Sequence, residues 1–238
     1  MKLHRIIPAV LGVALVAGTG FWAAGRRAPG SGSGIAPPAM GGRLVASYRS
    51  EPRTFNRYVS PNSAEEMVWR MTQATPVRVN RATGALEPRL AQDWAHSADG
   101  LTWTLHLRSG VTFSDGVPFT SADVLFSFLV VTDPKVNSAI AGALKVGDKL
   151  IALSAPADRT VVVTFPAPYG PGLAVLDSLP ILPKHKLEAA YKAGEFTKAW
   201  GVTSPVSELV GLGPFVLKEY AAGQRLVFAR NPHFWRHD

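Results

Sequence analysis

Residues 101–131, LTWTLHLRSGVTFSDGVPFTSADVLFSFLVV, pass from one hydrophobic period to another within a single stretch. Leu101, Trp103, Leu105 and Leu107 alternate with Thr102, Thr104, His106 and Arg108, which is the period of two of a half-buried β-strand. Asp99-Gly100 ahead of it is a hairpin signal, because glycine accepts the positive φ of a tight turn. Ser109-Gly110 and Asp115-Gly116 punctuate the run that follows. Thr120 and Asp123 stand at capping-box spacing, where a hydroxyl and a carboxylate satisfy the free N–H groups of a helix's first turn. The helix predicted after them puts Val124, Leu125, Phe128 and Leu129 on one face. It stops near Asp133-Pro134, since the proline ring cannot continue it. The predicted unit is strand, turn, short strand, capped helix.

Outward from this unit the chain keeps alternating short strands and helices. Residues 76–88 hold two short strands around Ala82-Thr83-Gly84, and residues 151–153 and 160–165 read as a strand pair turning at Ala157-Asp158. Residues 63–72 suggest a helix with Asn62 or Ser63 as N-cap. Its Glu65 and Glu66 suit the positive end of the dipole, and Met67, Val68 and Met71 form its apolar stripe. Residues 43–48 and 226–228 read as strands, residues 139–150 as helix and turn, and Leu173 to Leu176 as the start of another helix.

The central stretch resembles the signature of the family 5 extracellular solute-binding proteins, W-T-F-x-L-R-x-G-V-x-F-x-D-G-x-P-x-T-A-x-D-V. The matching residues are Trp103-Thr104-Leu105, Leu107-Arg108, Gly110-Val111, Phe113, Asp115-Gly116, Pro118, Thr120 and Asp123-Val124. Glu51-Pro52-Arg53-Thr54-Phe55-Asn56 is similar to the family's E-P-x-T-L-N-P turn, with Arg57 in place of the final proline. Leu90-Ala91-Gln92-Asp93-Trp94 is similar to L-A-x-x-W, and Ile181-Leu182-Pro183-Lys184-His185 to I-x-P-K-H. Gly211-Leu212-Gly213-Pro214-Phe215 resembles G-T-G-P-[YF], with Leu212 replacing a hydroxyl residue, and Asn231-Pro232-His233-Phe234-Trp235 resembles N-P-x-Y-W. The signature marks a fold and not a ligand site.

The resemblance implies an α/β, periplasmic-binding-protein-like fold of the class II, peptide-binding type. A mixed-sheet lobe I, from residues 43–62 and 183–238, is interrupted by an inserted α+β domain over residues 63–182. The second main lobe is expected to be missing from this sequence. The implied function is the substrate-binding subunit of an ABC importer. It captures peptides or another small solute outside the cytoplasmic membrane and delivers them to a membrane permease, acting as a monomer when full length. Candidate ligand-binding residues are Ser60, Pro61, Asn62 and Ser63, Asn137 and Ser138 of the inserted domain, and Gly211 and Leu212 of the late turn. The alternative is a hydrolase, or a membrane-tethered or secreted interaction module, sharing only part of the fold.

Composition bounds these readings. With 47% apolar and 18% charged residues the chain is globular rather than disordered. Lys2, Arg5, Arg26 and Arg27 supply half of the net charge of +8, and no acidic residue precedes position 28. What remains is too scattered to argue for nucleic acid. Cysteine is absent, which excludes disulfides, thiolate-bound zinc and a lipid-modified cysteine. A basic start, an apolar run from Ile6 to about Gly25 and Arg26-Arg27 make residues 1–27 an export signal or a retained anchor. Residues 28–42, ending in the Gly/Ser/Pro-rich run GSGSGIAPPAMGG, form a flexible linker.

No catalytic constellation stands out. Gly211-Leu-Gly213 lacks the third glycine of a dinucleotide loop and precedes a strand. His233 and His237 are four apart but have no third ligand near them in sequence. His96, His106 and His185 are isolated, and Asp93, Asp99 and Asp115 are read as turn residues. No cofactor, metal or catalytic residue is expected.

Overall fold

The period-two stretch becomes the second strand of the largest sheet. A computed structural model describes residues 41–236. The export or anchor segment, most of the linker and His237 lie outside them. Strand β1 spans Val77–Val79, β2 Leu86–Pro88, β3 Ala91–His96 and β4 Thr102–Leu107. Helix α1 spans Ser63–Thr72 and α2 Ser121–Thr132. Then come β5 (Lys145–Val146), β6 (Lys149–Leu150), β7 (Ala152–Ala157), β8 (Thr160–Thr164), α3 (Lys184–Lys192), β9 (Phe215–Ala221) and β10 (Arg225–Arg230).

Four strands pair in the order β3-β4-β8-β7, all antiparallel, and β1-β2, β5-β6 and β9-β10 are hairpins. Gly100 turns β3 into β4 at φ +70°, a backbone shape that costs a residue with a Cβ dearly. Leu105 lies opposite Val161 and Trp103 opposite Val163, and Leu105, Val161 and Val163 are fully buried. Each such side chain contributes about 1.5–3 kcal/mol on leaving water. Asp93, expected in a turn, sits in β3 and pairs with His106 across the ladder. The strand continues through it, with an irregular register between Ala91 and Asp93 where β3 pairs with β4.

Helix α2 covers β7 and β8. Its capping box forms as the spacing predicts: Thr120 Oγ1 accepts from Ala122 N at 3.3 Å, and Asp123 Oδ2 accepts from Thr120 N at 2.9 Å. Ser121 ties the helix start to the β7–β8 turn, its Oγ donating to Ala157 O at 2.8 Å. The buried face, however, is not the predicted one. Val124, Phe126, Ser127, Val130 and Val131 are buried, whereas Leu129 is 52% exposed. The helix is apolar nearly all round, so hydropathy alone selects no face. Two polar groups choose it: Ser127 Oγ accepts from Leu182 N at 2.8 Å, and Asp123 Oδ1 from Lys184 N at 3.0 Å. These bonds dock α2 on the segment that leads into α3.

Other expectations shift in the same way. Helix α1 buries Ala64, Glu65, Val68, Trp69 and Thr72 while Met71 faces outward. Residues 173–176 lie in a short 3₁₀ helix, Gly172–Ser178. Residues 139–150 form a 3₁₀ turn, Ala141–Leu144, followed by the β5–β6 hairpin. Residues 43–48 form no strand and are exposed. A strand needs a neighbour for its ladder bonds, and no described strand pairs with them. From Ala46 onward the chain packs as one compact unit, and the buried cluster joins residues of 55–58, 105–181 and 187–217. Among the described residues no helix is long and apolar enough to cross a membrane.

Candidate functional site

A cavity of about 530 Å³ opens beside α1. Four pieces of chain wall it: residues 57–70 around the start of α1, the β1–β2 hairpin with Arg89, residues 139–143, and residues 177–180. The first piece is pinned before the helix begins. Asn56 is fully buried, donating Nδ2 to Phe196 O at 3.0 Å and accepting Tyr58 N on Oδ1 at 3.1 Å. Tyr58 Oη donates to Pro180 O at 2.5 Å, and burial pushes its phenol well above the ordinary range. The backbone on both sides of Arg57 is therefore fixed, and its side chain, 17% exposed, lies in the cavity wall.

The lining is cationic. Arg57, Arg70, Arg78, Arg81 and Arg89 face it against only Glu66 and Asp177. Most of these charges are already paired. Arg70 Nε donates to Glu66 Oε1 at 2.9 Å and Arg81 Nη2 to Asp177 Oδ2 at 3.0 Å, while Arg78 Nη2 stands 2.8 Å from Glu87 Oε2. Arg57 and Arg89 are the exceptions. Arg57 reaches Glu66 Oε2 only at 3.7 Å, and its buried Nε and Nη1 have no hydrogen-bond partner among the described residues. Arg89 makes one long contact, Nη2 to Gln73 O at 3.5 Å. Burial lowers the pKa of both guanidiniums, opposed by Glu66 at Arg57 and by Asp177 at Arg89. Trp69 adds a flat apolar wall under Arg70, whose Cζ lies 5.3 Å from the ring centre. Trp69 Nε1 is likewise buried without a partner.

The predicted site residues fall in different places. Pro61 lines the cavity. Ser60, Asn62 and Ser63 flank it in sequence but form a polar cluster of their own. Asn62 Nδ2 donates to Ser60 Oγ at 2.9 Å, and Ser60 Oγ to Glu65 Oε1 at 3.2 Å. Asn62 is the N-cap position of α1 without a capping side chain, and Ser63 is its first residue. Asn137 is exposed at φ +51°, and Ser138 is buried, its Oγ accepting from Ile140 N at 3.3 Å. Their neighbours Ala139 and Ile140 line the cavity instead. Gly211 and Leu212 are buried against the end of α1 and take no part in the lining.

Sequence reasoning missed the arginines and Trp69. The one signal was Arg57, which breaks the E-P-x-T-L-N-P turn; the others looked like dispersed surface charge. His233 lies beside Gly116. Those residues contain no group of three or more metal-ligating side chains.

Comparison with known proteins matches residues 85–238 to the bacterial extracellular solute-binding proteins, family 5 middle region. The chain belongs to family 5 of the bacterial extracellular solute-binding proteins. Among similar proteins, Protein XP55 of Streptomyces lividans is 33% identical over 196 residues, 81% of this chain and 32% of that protein. The nickel-binding periplasmic protein of Escherichia coli is 31% identical over 178 residues, 74% of this chain and 31% of that protein. OppA of Haemophilus influenzae, solved with the peptide RPPGFSPFR, superposes with a TM-score of 0.64 at 27% identity, covering 78% of this chain and 37% of that one. This chain thus spans about a third of the length of the curated relatives it matches. The periplasmic-binding-protein-like fold predicted from residues 101–131 is the one found.

Proposed function

We propose that this chain forms the solute-capturing region of a substrate-binding subunit of an ABC importer. It works outside the cytoplasmic membrane and hands its solute to a permease. One observation carries the reading: in a family 5 chain, a cavity of about 530 Å³ is walled by pinned loops and an excess of arginine side chains, which is what a site for a polar solute requires. Residues 43–62 and 183–238 act as one lobe and residues 63–182 as an inserted domain, with the cavity where Arg57 and Pro61 of the first meet the second. Hinge closure over the cavity traps the solute, as in periplasmic binding proteins generally.

Peptides are the leading solute class, supported by the OppA likeness, and nickel complexes the second, supported by the nickel-binding relative. Thermal unfolding of the purified chain tests this. A saturable rise in Tm with short peptides or with nickel–histidine is expected. Unchanged Tm with both contradicts it.

A further inference from the structure

A guanidinium is a permanent charge with five N–H donors and no acceptor, and a buried donor without a partner is destabilising. The cavity concentrates such donors. Its two carboxylates are committed, Glu66 to Arg70 and Asp177 to Arg81. Arg57 keeps two buried nitrogens unbonded, Arg89 has only its 3.5 Å contact, and Trp69 Nε1 is a third orphan in the same wall. Five guanidiniums line the cavity against two carboxylates that are already ion-paired, so an anionic occupant would balance the excess positive charge. A concave, partly dry wall strengthens that attraction over the same charges in water.

We propose that the cavity selects acidic solutes by holding a carboxylate between Arg57 and Arg89. The planar guanidinium fork matches a carboxylate in two parallel hydrogen bonds. Arg57 stands where the related turn carries proline, so the selectivity belongs to this chain. The inference rests on the solute-capture reading and names its substrate class.

Calorimetric titration of the 238-residue chain with glutarate, glutaramide and cadaverine decides it, since the three share a carbon frame and differ in charge. Glutarate is expected to bind saturably, more weakly as salt rises, and the other two not at all. Arg57→Gln and Arg89→Gln each weaken glutarate roughly tenfold or more. Arg225→Gln, whose guanidinium pairs with Glu219 away from the cavity, leaves it unchanged. If Arg57→Gln fails to fold, Arg57→Lys carries the test: it keeps the charge, loses the fork and still weakens glutarate. Glutarate binding that survives both glutamine variants, or that glutaramide equals, overturns the acidic site. Binding of cadaverine or glutaramide in place of glutarate overturns it too, while solute capture stands. If none of the three binds and peptides and nickel–histidine leave Tm unchanged, both readings fall.

Discussion

Replacing Gly213 by alanine tests how the site is braced. A Cβ built there meets only backbone: Thr72 C at 2.4 Å, Met71 O at 2.5 Å and Gln73 N at 2.6 Å. No side chain can swing away, so either the end of α1 or the 210–214 loop must move. The same movement strains the Gly213 N to Thr72 O hydrogen bond of 2.9 Å. Overpacking of this kind costs about 1–3 kcal/mol and a lost backbone bond about 1 kcal/mol, giving roughly 2–4 kcal/mol. In a unit of this size that lowers Tm by about 5–15 °C. Because α1 carries Glu66, Trp69 and Arg70, glutarate binding should weaken alongside. Gly142→Ala is the control, in the 3₁₀ turn beside the cavity with open space around its Cβ. It should stay within about 0.5 kcal/mol of the parent. A Gly213→Ala protein melting within a degree of the parent would show that the α1 terminus is not clamped by this loop.

Three further predictions concern α2. Thr120→Ala removes the cap acceptor and should cost about 1 kcal/mol in urea unfolding. Ser127→Ala strands the buried Leu182 N–H and should cost about 1–3 kcal/mol, more than its lost atoms suggest. Asp123 has its pKa raised above the ordinary 3.8, chiefly by burial and against its hydrogen bonds to Thr120 N and Lys184 N. The folded state therefore binds the proton more tightly than the unfolded state, and this group's contribution falls as pH rises from about 3.8 through the folded pKa. Asp123→Asn should remove that fall, so stability plotted against pH declines more in the parent than in the variant across the weakly acidic range.

Much of the fold was legible because local chemistry and tertiary context agree. The alternation at 101–107, the cap at Thr120 and Asp123 and the Asp99-Gly100 turn all depend on neighbours close in sequence. The face of α2 was not legible, since an apolar helix leaves the choice to Ser127 and Asp123, whose partners lie beyond residue 180. Helix α3 was missed because residues 184–192 are mostly polar, with only Leu187 buried. The site was harder still. Arg57, Arg78 and Arg89 are separated in sequence by a helix and a hairpin, and only folding reveals which of them lack a carboxylate. Gly211 and Leu212 were candidates because their turn resembles the family's G-T-G-P-[YF] segment near an expected cleft. A Cβ at Gly211 would meet Thr72 O and the Gln73 side chain, a close approach that only the folded chain reveals.

Amide hydrogen exchange with and without saturating solute tests the central claim most directly. Capture in the arginine-lined cavity predicts slowed exchange confined to residues 57–70, 77–89, 139–143 and 177–180, with β9 and β10 unaffected. Protection centred on the β9–β10 hairpin, or none at all under a bound solute, would contradict it.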